Sequence, residues 1–126
     1  MSKPPLMESL YVYLARVERV VDGDTVEISI SLGCDVWLLH QHCRLSGINA
    51  PEKTGETKAL GIASKEHLES LLKGHDTVLV RTTYDRKCTF GRLLVELFVG
   101  TYSVNEEMVE DNFAKETDSA GASQSR

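Results

Sequence analysis

Polar and apolar residues alternate without a fault from Thr25 to Leu32, which predicts a half-buried strand with Val26, Ile28, Ile30 and Leu32 facing inward. Before it, Tyr11 to Val21 is rich in β-formers and reads as another strand, closed by the turn signal Asp22-Gly23-Asp24. A third strand follows Gly33-Cys34-Asp35, from about Val36 to Ser46. Trp37, Leu39, Cys43 and Leu45 are expected on its core side and His40, His42 and Arg44 on the other. From about Lys58 to Leu72 the period becomes helical, placing Leu60, Ala63, His67, Leu68, Leu71 and Leu72 on one side, with Gly74 as a stop. Thr77–Thr83 and Arg92–Val99 read as two more strands. Ser103-Val104-Asn105-Glu106 has the form of a helix capping box, opening a helix from about Val104 to Lys115.

The order β-β-β-α-β-β-α is strand-dominated α+β and predicts a five-stranded OB-type barrel carrying two helices. Residues 1–9 read as an N-terminal arm, residues 10–116 as the domain, and residues 117–126, rich in Ser, Ala, Gly and Gln, as a disordered tail. That architecture hosts many functions and does not choose among them.

Composition narrows the choice little. With 126 residues, 41% hydrophobic and 26% charged, the chain fits one globular domain. No apolar run approaches the ~20 residues that span a bilayer, and no secretory leader is visible, so a cytoplasmic, membrane-free protein is expected. Three cysteines, an odd count, argue against a disulfide framework. His40, His42 and Cys43 suggest a soft-metal site, but the cysteine faces away from the histidines in a strand, and solvent-facing imidazoles are the plainer reading. The net charge of −5 opposes tight non-specific nucleic-acid binding. Acidic residues crowd the C-terminal end, however, while Arg44, Arg81, Arg86, Lys87 and Arg92 leave room for a local positive patch.

The chemistry gathers around Arg44-Leu45-Ser46-Gly47-Ile48-Asn49-Ala50-Pro51-Glu52, with Asp22-Gly23-Asp24-Thr25 upstream and Phe90-Gly91-Arg92 downstream. Arginine forks make paired, charge-assisted hydrogen bonds to phosphate. Carboxylates and carbonyls suit a hard cation such as Ca²⁺. Arg44, Arg92, Glu52, Asp24 and Asn49 could together serve phosphodiester hydrolysis; singly, each is also an ordinary surface or turn residue.

These three segments, with Val104-Asn105-Glu106-Glu107-Met108-Val109, resemble the staphylococcal nuclease (thermonuclease-like) family over about residues 12–115. The resemblance implies Arg44 and Arg92 as the arginines that grip the phosphoryl group and Glu52 as general base or water-orienting acid. It implies Asp24, Asn49 and the carbonyl of Ala50 as Ca²⁺ ligands and Asp22 as a nearby outer acid. Phe90, Lys87 and Arg86 are expected to contact substrate. It further implies cleavage of DNA or RNA with little base preference, leaving 3′-phosphate ends.

Two departures from the family pattern qualify this. Asn49 stands where the family has a carboxylate, so calcium affinity is expected to fall. The family's founding member has a further C-terminal helix and a substrate-pocket tyrosine beyond the second helix; Asp118 falls near that tyrosine's place, and Phe90 replaces another. A second copy or a protein partner is expected over the side the missing helix leaves bare. A catalytically weak or inactive module that binds nucleic acid or protein is the alternative reading, and a purely structural barrel ranks last.

Overall fold

The computed structural model describes residues 10–53, 55–84 and 93–117. Strands β1 (Val12–Asp22), β2 (Thr25–Gly33) and β3 (Val36–Leu45) form the expected antiparallel meander. After the two-residue β4 (Ile48–Asn49) and a 3₁₀ turn at Gly55–Thr57 comes helix α1 (Lys58–Leu72), then β5 (Thr77–Tyr84) and β6 (Leu93–Val99). β5 pairs antiparallel with β1 and β6, and β6 runs parallel to β3 through Cys43↔Leu93, Arg44↔Leu94 and Leu45↔Val95. That last pairing closes five strands into a barrel, as the order of elements predicts. The described residues end with β7 (Tyr102–Ser103), α2 (Val104–Glu110) and β8 (Lys115–Glu116).

Val26, Ile28, Ile30, Cys43, Leu45, Val80, Val95 and Leu97 fill the barrel at 1% exposure or less. Leu68 and Leu72 of α1 and Val104 and Met108 of α2 join the same core. Among the described residues no helix is long and apolar enough to cross a membrane.

Four expectations need correction. Trp37 and Leu39 do not enter the core but stand 40% and 54% exposed. The cause is a β-bulge: Ile28 pairs with Gln41 and Ile30 with Leu38, so β3 carries one residue more than β2 there. His40 absorbs it with φ 52°, in the left-handed region that histidine tolerates better than most side chains. Its amide donates to Ser29 Oγ (3.0 Å). The alternation therefore slips beyond His40. Leu32, on the opposing strand near the hairpin tip, is likewise exposed. On α1, Leu60 faces solvent; the buried positions are Gly61, Ser64, Leu68 and Leu72. α2 stops at Glu110, well short of Lys115, because Asn112 turns left-handed (φ 66°) and sends the chain back to pair with β4.

Candidate active site

The site is built where β3 leaves the barrel. Cys43 and Leu45 point into the core, so Arg44 between them points out. The Asp22–Thr25 turn lies beside it, since Thr25 pairs with Arg44 and the Leu45 amide donates to the Asp24 carbonyl (2.8 Å). Gly47, at φ 77°, then turns the chain into β4 and brings Asn49, Ala50 and Glu52 back over the same end of the barrel.

A cavity of about 320 Å³ is lined by Asp22, Asp24, Arg44, Asn49, Ala50, Pro51, Glu52 and Lys53. Arg44 Nη2 donates to Asn49 Oδ1 (2.7 Å) and to the Ile48 carbonyl (3.1 Å), and it stands 3.5 Å from Asp24 Oδ2. Asp24 Oδ2 accepts from the Ala50 amide (3.0 Å) and Oδ1 from Thr25 Oγ1 (3.1 Å). Asp24 and Arg44 side chains are 14% and 28% exposed, shielded enough to strengthen their attraction yet open to a ligand. The cavity thus holds three carboxylates against two cations, Arg44 and Lys53.

Arg44, Glu52, Asp24, Asn49, Ala50 and Asp22, drawn from the Asp22–Asp24 turn and the Arg44–Glu52 segment, therefore meet in one place. Arg92, Phe90, Lys87 and Arg86 lie outside the described residues, as does Cys88. The oxygen donors of Asp24 and Asn49 fit a hard divalent cation in type, with less negative charge than two carboxylates carry. Among the described residues no three His, Cys, Asp or Glu side chains form a metal centre, at the His40–Cys43 stretch included.

Several positioning residues escaped the sequence reading. Lys53 Nζ donates to the Val21 carbonyl (2.9 Å) and pairs with Asp22 Oδ1 (3.3 Å), locking the two segments together. Gly61 lies so close to the loop that a Cβ there would meet the Glu52 carbonyl oxygen at 2.4 Å; one on Gly23 would meet Ser64 Oγ at 2.1 Å. A glycine inside a helical pattern was the available signal for Gly61. Asn105, 3% exposed, donates to the Ser46 (2.8 Å) and Val95 (3.0 Å) carbonyls and accepts from the Leu97 amide (3.1 Å), pinning the turn after β3 to β6. β8 straps the loop from outside through Ile48↔Glu116 and Asn49↔Lys115, with the Thr117 amide donating to the Gly47 carbonyl (2.9 Å).

A larger cavity, about 470 Å³, lies between β4 and α2. Glu96, Glu106, Glu110 and Glu116 line it, a wall of one sign that repels phosphate.

Residues 42–125 match the family described as Staphylococcal nuclease homologue. Among curated proteins, the chain is 28% identical over 120 residues to "Endonuclease YhcR" of Bacillus subtilis (strain 168). The match covers 88% of this chain and 9% of that protein, so the chain spans under a tenth of its relative's length.

Proposed function

Since the chain belongs to the family of staphylococcal nuclease homologues, we propose that it hydrolyses phosphodiester bonds of DNA or RNA at the Arg44 cavity, with Ca²⁺, little sequence preference and 3′-phosphate products. The observation that carries the reading is the meeting of Arg44, Asp24, Asn49 and Glu52 around one opening. In it, Arg44 binds a phosphate oxygen through its planar fork and offsets the charge that grows there during attack. Arg92 supplies the second guanidinium of the proposal. Glu52 orients the attacking water and accepts its proton; as the water oxygen bonds to phosphorus the P–O5′ bond breaks, and the departing 5′ oxygen takes a proton from solvent, leaving the phosphate on the 3′ side. Asp24 and Asn49, with the Ala50 carbonyl, hold the cation, and Asp22 adds negative charge behind them. A bound divalent ion supplies Lewis-acid polarisation of the phosphoryl oxygen.

Asn49 favours a second reading, a module that binds nucleic acid without cutting it, because the amide contributes no charge to the cation and already accepts a hydrogen bond from Arg44 (2.7 Å). One experiment separates the two. Denatured DNA is incubated with the chain, and with Arg44→Ala, Glu52→Gln and Asn49→Asp, over a CaCl₂ series. The hydrolase reading expects cleavage that both Arg44→Ala and Glu52→Gln abolish and that Asn49→Asp shifts to lower calcium. Binding with no cleavage at any calcium concentration, Asn49→Asp included, overturns it in favour of the module.

A further inference from the structure

The outward face of β1, β2 and β3 continues from Arg44 away from the cavity. Along β3 it carries Arg44, His42, His40 and Trp37; across from them stand Arg19 and Arg16 on β1. The bulge at His40 puts Trp37 on this face. It sits opposite Ser31, two residues from Ser29, and Arg16, opposite Ser29, lies over the indole at 5.2 Å.

Two carboxylates share the face, and both lie beneath its guanidiniums and imidazoles. Glu27 is 13% exposed and takes Arg19 Nε at 2.8 Å, His40 Nδ1 at 2.6 Å and His42 Nε2 at 3.3 Å. Glu18 is 21% exposed and accepts from Ser29 Oγ (2.6 Å) and Arg16 (3.0 Å). Above them Arg16, Arg19, His40 and His42 are 48–59% exposed. A chain of net charge −5 thus presents guanidiniums, imidazoles and an indole on one face.

We propose that this face is a track for single-stranded nucleic acid, on which the guanidiniums pair with phosphates and a base stacks against Trp37. A duplex keeps its bases stacked inside and offers Trp37 no free ring face, whereas a single strand does. From Arg44 to Trp37 the strand extends roughly 20 Å, suited to the low end of the about 4–16 nucleotides such barrels engage. The proposal rests on the preceding reading, because a track that ends at Arg44 is of use only where that cavity takes a phosphodiester. Its consequence is a preference for unpaired over duplex substrate, set away from the cleavage site.

Trp37 is the chain's one tryptophan, so its fluorescence reports the face directly. The full chain is titrated, in chelator to prevent cleavage, with oligothymidylate of about twelve nucleotides and with a duplex of equal length. Saturable quenching by the single strand, stronger than by the duplex and retained in Arg44→Ala, is the expected result. Anisotropy of a labelled oligonucleotide is expected to show binding weakened about tenfold in Trp37→Leu and in Arg16→Gln. Cleavage of a substrate with a single phosphodiester is expected to stay unchanged in both variants. Absent quenching with wild-type anisotropy in both variants overturns the track. So does concentration-dependent self-association that Trp37→Leu abolishes, without quenching by oligonucleotide, which assigns the face to a protein contact. Quenching without cleavage by the intact chain at any calcium concentration refutes the hydrolase reading and leaves the binding face standing; cleavage without quenching refutes the track alone.

Discussion

Alanine in place of glycine inside a helix ordinarily stabilises it by about 1 kcal/mol. At Gly61 the opposite is expected. A Cβ built there meets the Glu52 carbonyl oxygen at 2.4 Å, its carbon at 2.5 Å and the Lys53 amide nitrogen at 2.6 Å. All three are backbone atoms, which cannot rotate aside as a side-chain tip would. Restoring ordinary contact moves the loop or the helix by about 1 Å. Overpacking of this kind costs about 1–3 kcal/mol. Set against the helix gain, Gly61→Ala should lose up to about 2 kcal/mol, a melting-temperature drop of up to about 6 °C for a domain of this size. The displaced atoms form the Glu52–Lys53 peptide bond, and a misplacement of about 1 Å can lower a rate about 100-fold, so activity should fall further than stability. Thermal melts and initial cleavage rates on Gly61→Ala, with exposed Glu69→Ala on the same helix as control, test this. A Gly61→Ala chain that melts at or above the parent and cuts at the parent rate refutes the close packing of α1 on the Glu52 loop.

Three further predictions concern the rest of the domain. Asn105→Ala removes partners from two carbonyls and an amide in the interior and should cost about 2–4 kcal/mol, measured by urea unfolding. Glu27 and Glu18 are held below the usual carboxylate value of 4.5, Glu27 chiefly by its hydrogen bond to His40 and Glu18 by that to Ser29. A carboxylate whose folded pKa is depressed adds stability above its unfolded pKa and loses it as pH falls through the folded value. The urea midpoint should therefore drop below about pH 4.5, and Glu27→Gln should shrink that drop. Burial pushes the Cys43 thiol up to about 12, whereas Cys34 is exposed. Peptide mapping after alkylation near pH 8 should find Cys34 modified and Cys43 protected until the chain is unfolded.

The barrel was legible because its strands announce themselves by period two, and turns such as Asp22-Gly23-Asp24 fix where they end. The period fails where geometry adds a residue. Nothing in Leu38-Leu39-His40-Gln41 marks a bulge, because histidine is only a mild left-handed former, and an unbroken alternation therefore places Trp37 and Leu39 on the wrong face. The early end of the second helix was hidden for a similar reason: the apolar residues Val109 and Phe113 keep a helical spacing across Asn112, although Phe113 instead stacks on His67 at 4.1 Å.

The candidate site divides along the same line. Residues that bear charge were legible by type and by their resemblance to a family; residues that place them were not, because a positioning residue has no chemistry of its own to advertise. Gly61 acts by lacking a side chain, Asn105 by reaching three backbone groups from another element, and β8 by pairing with a two-residue strand too short to show a period. The loop from Ser46 to Lys53 is consequently held by α1 from below, by β8 from outside and by Asn105 at its root. Its geometry belongs to the whole domain. Damage to any of these three contacts, each well away from Arg44 in sequence, should therefore reach the reacting groups without altering one of them.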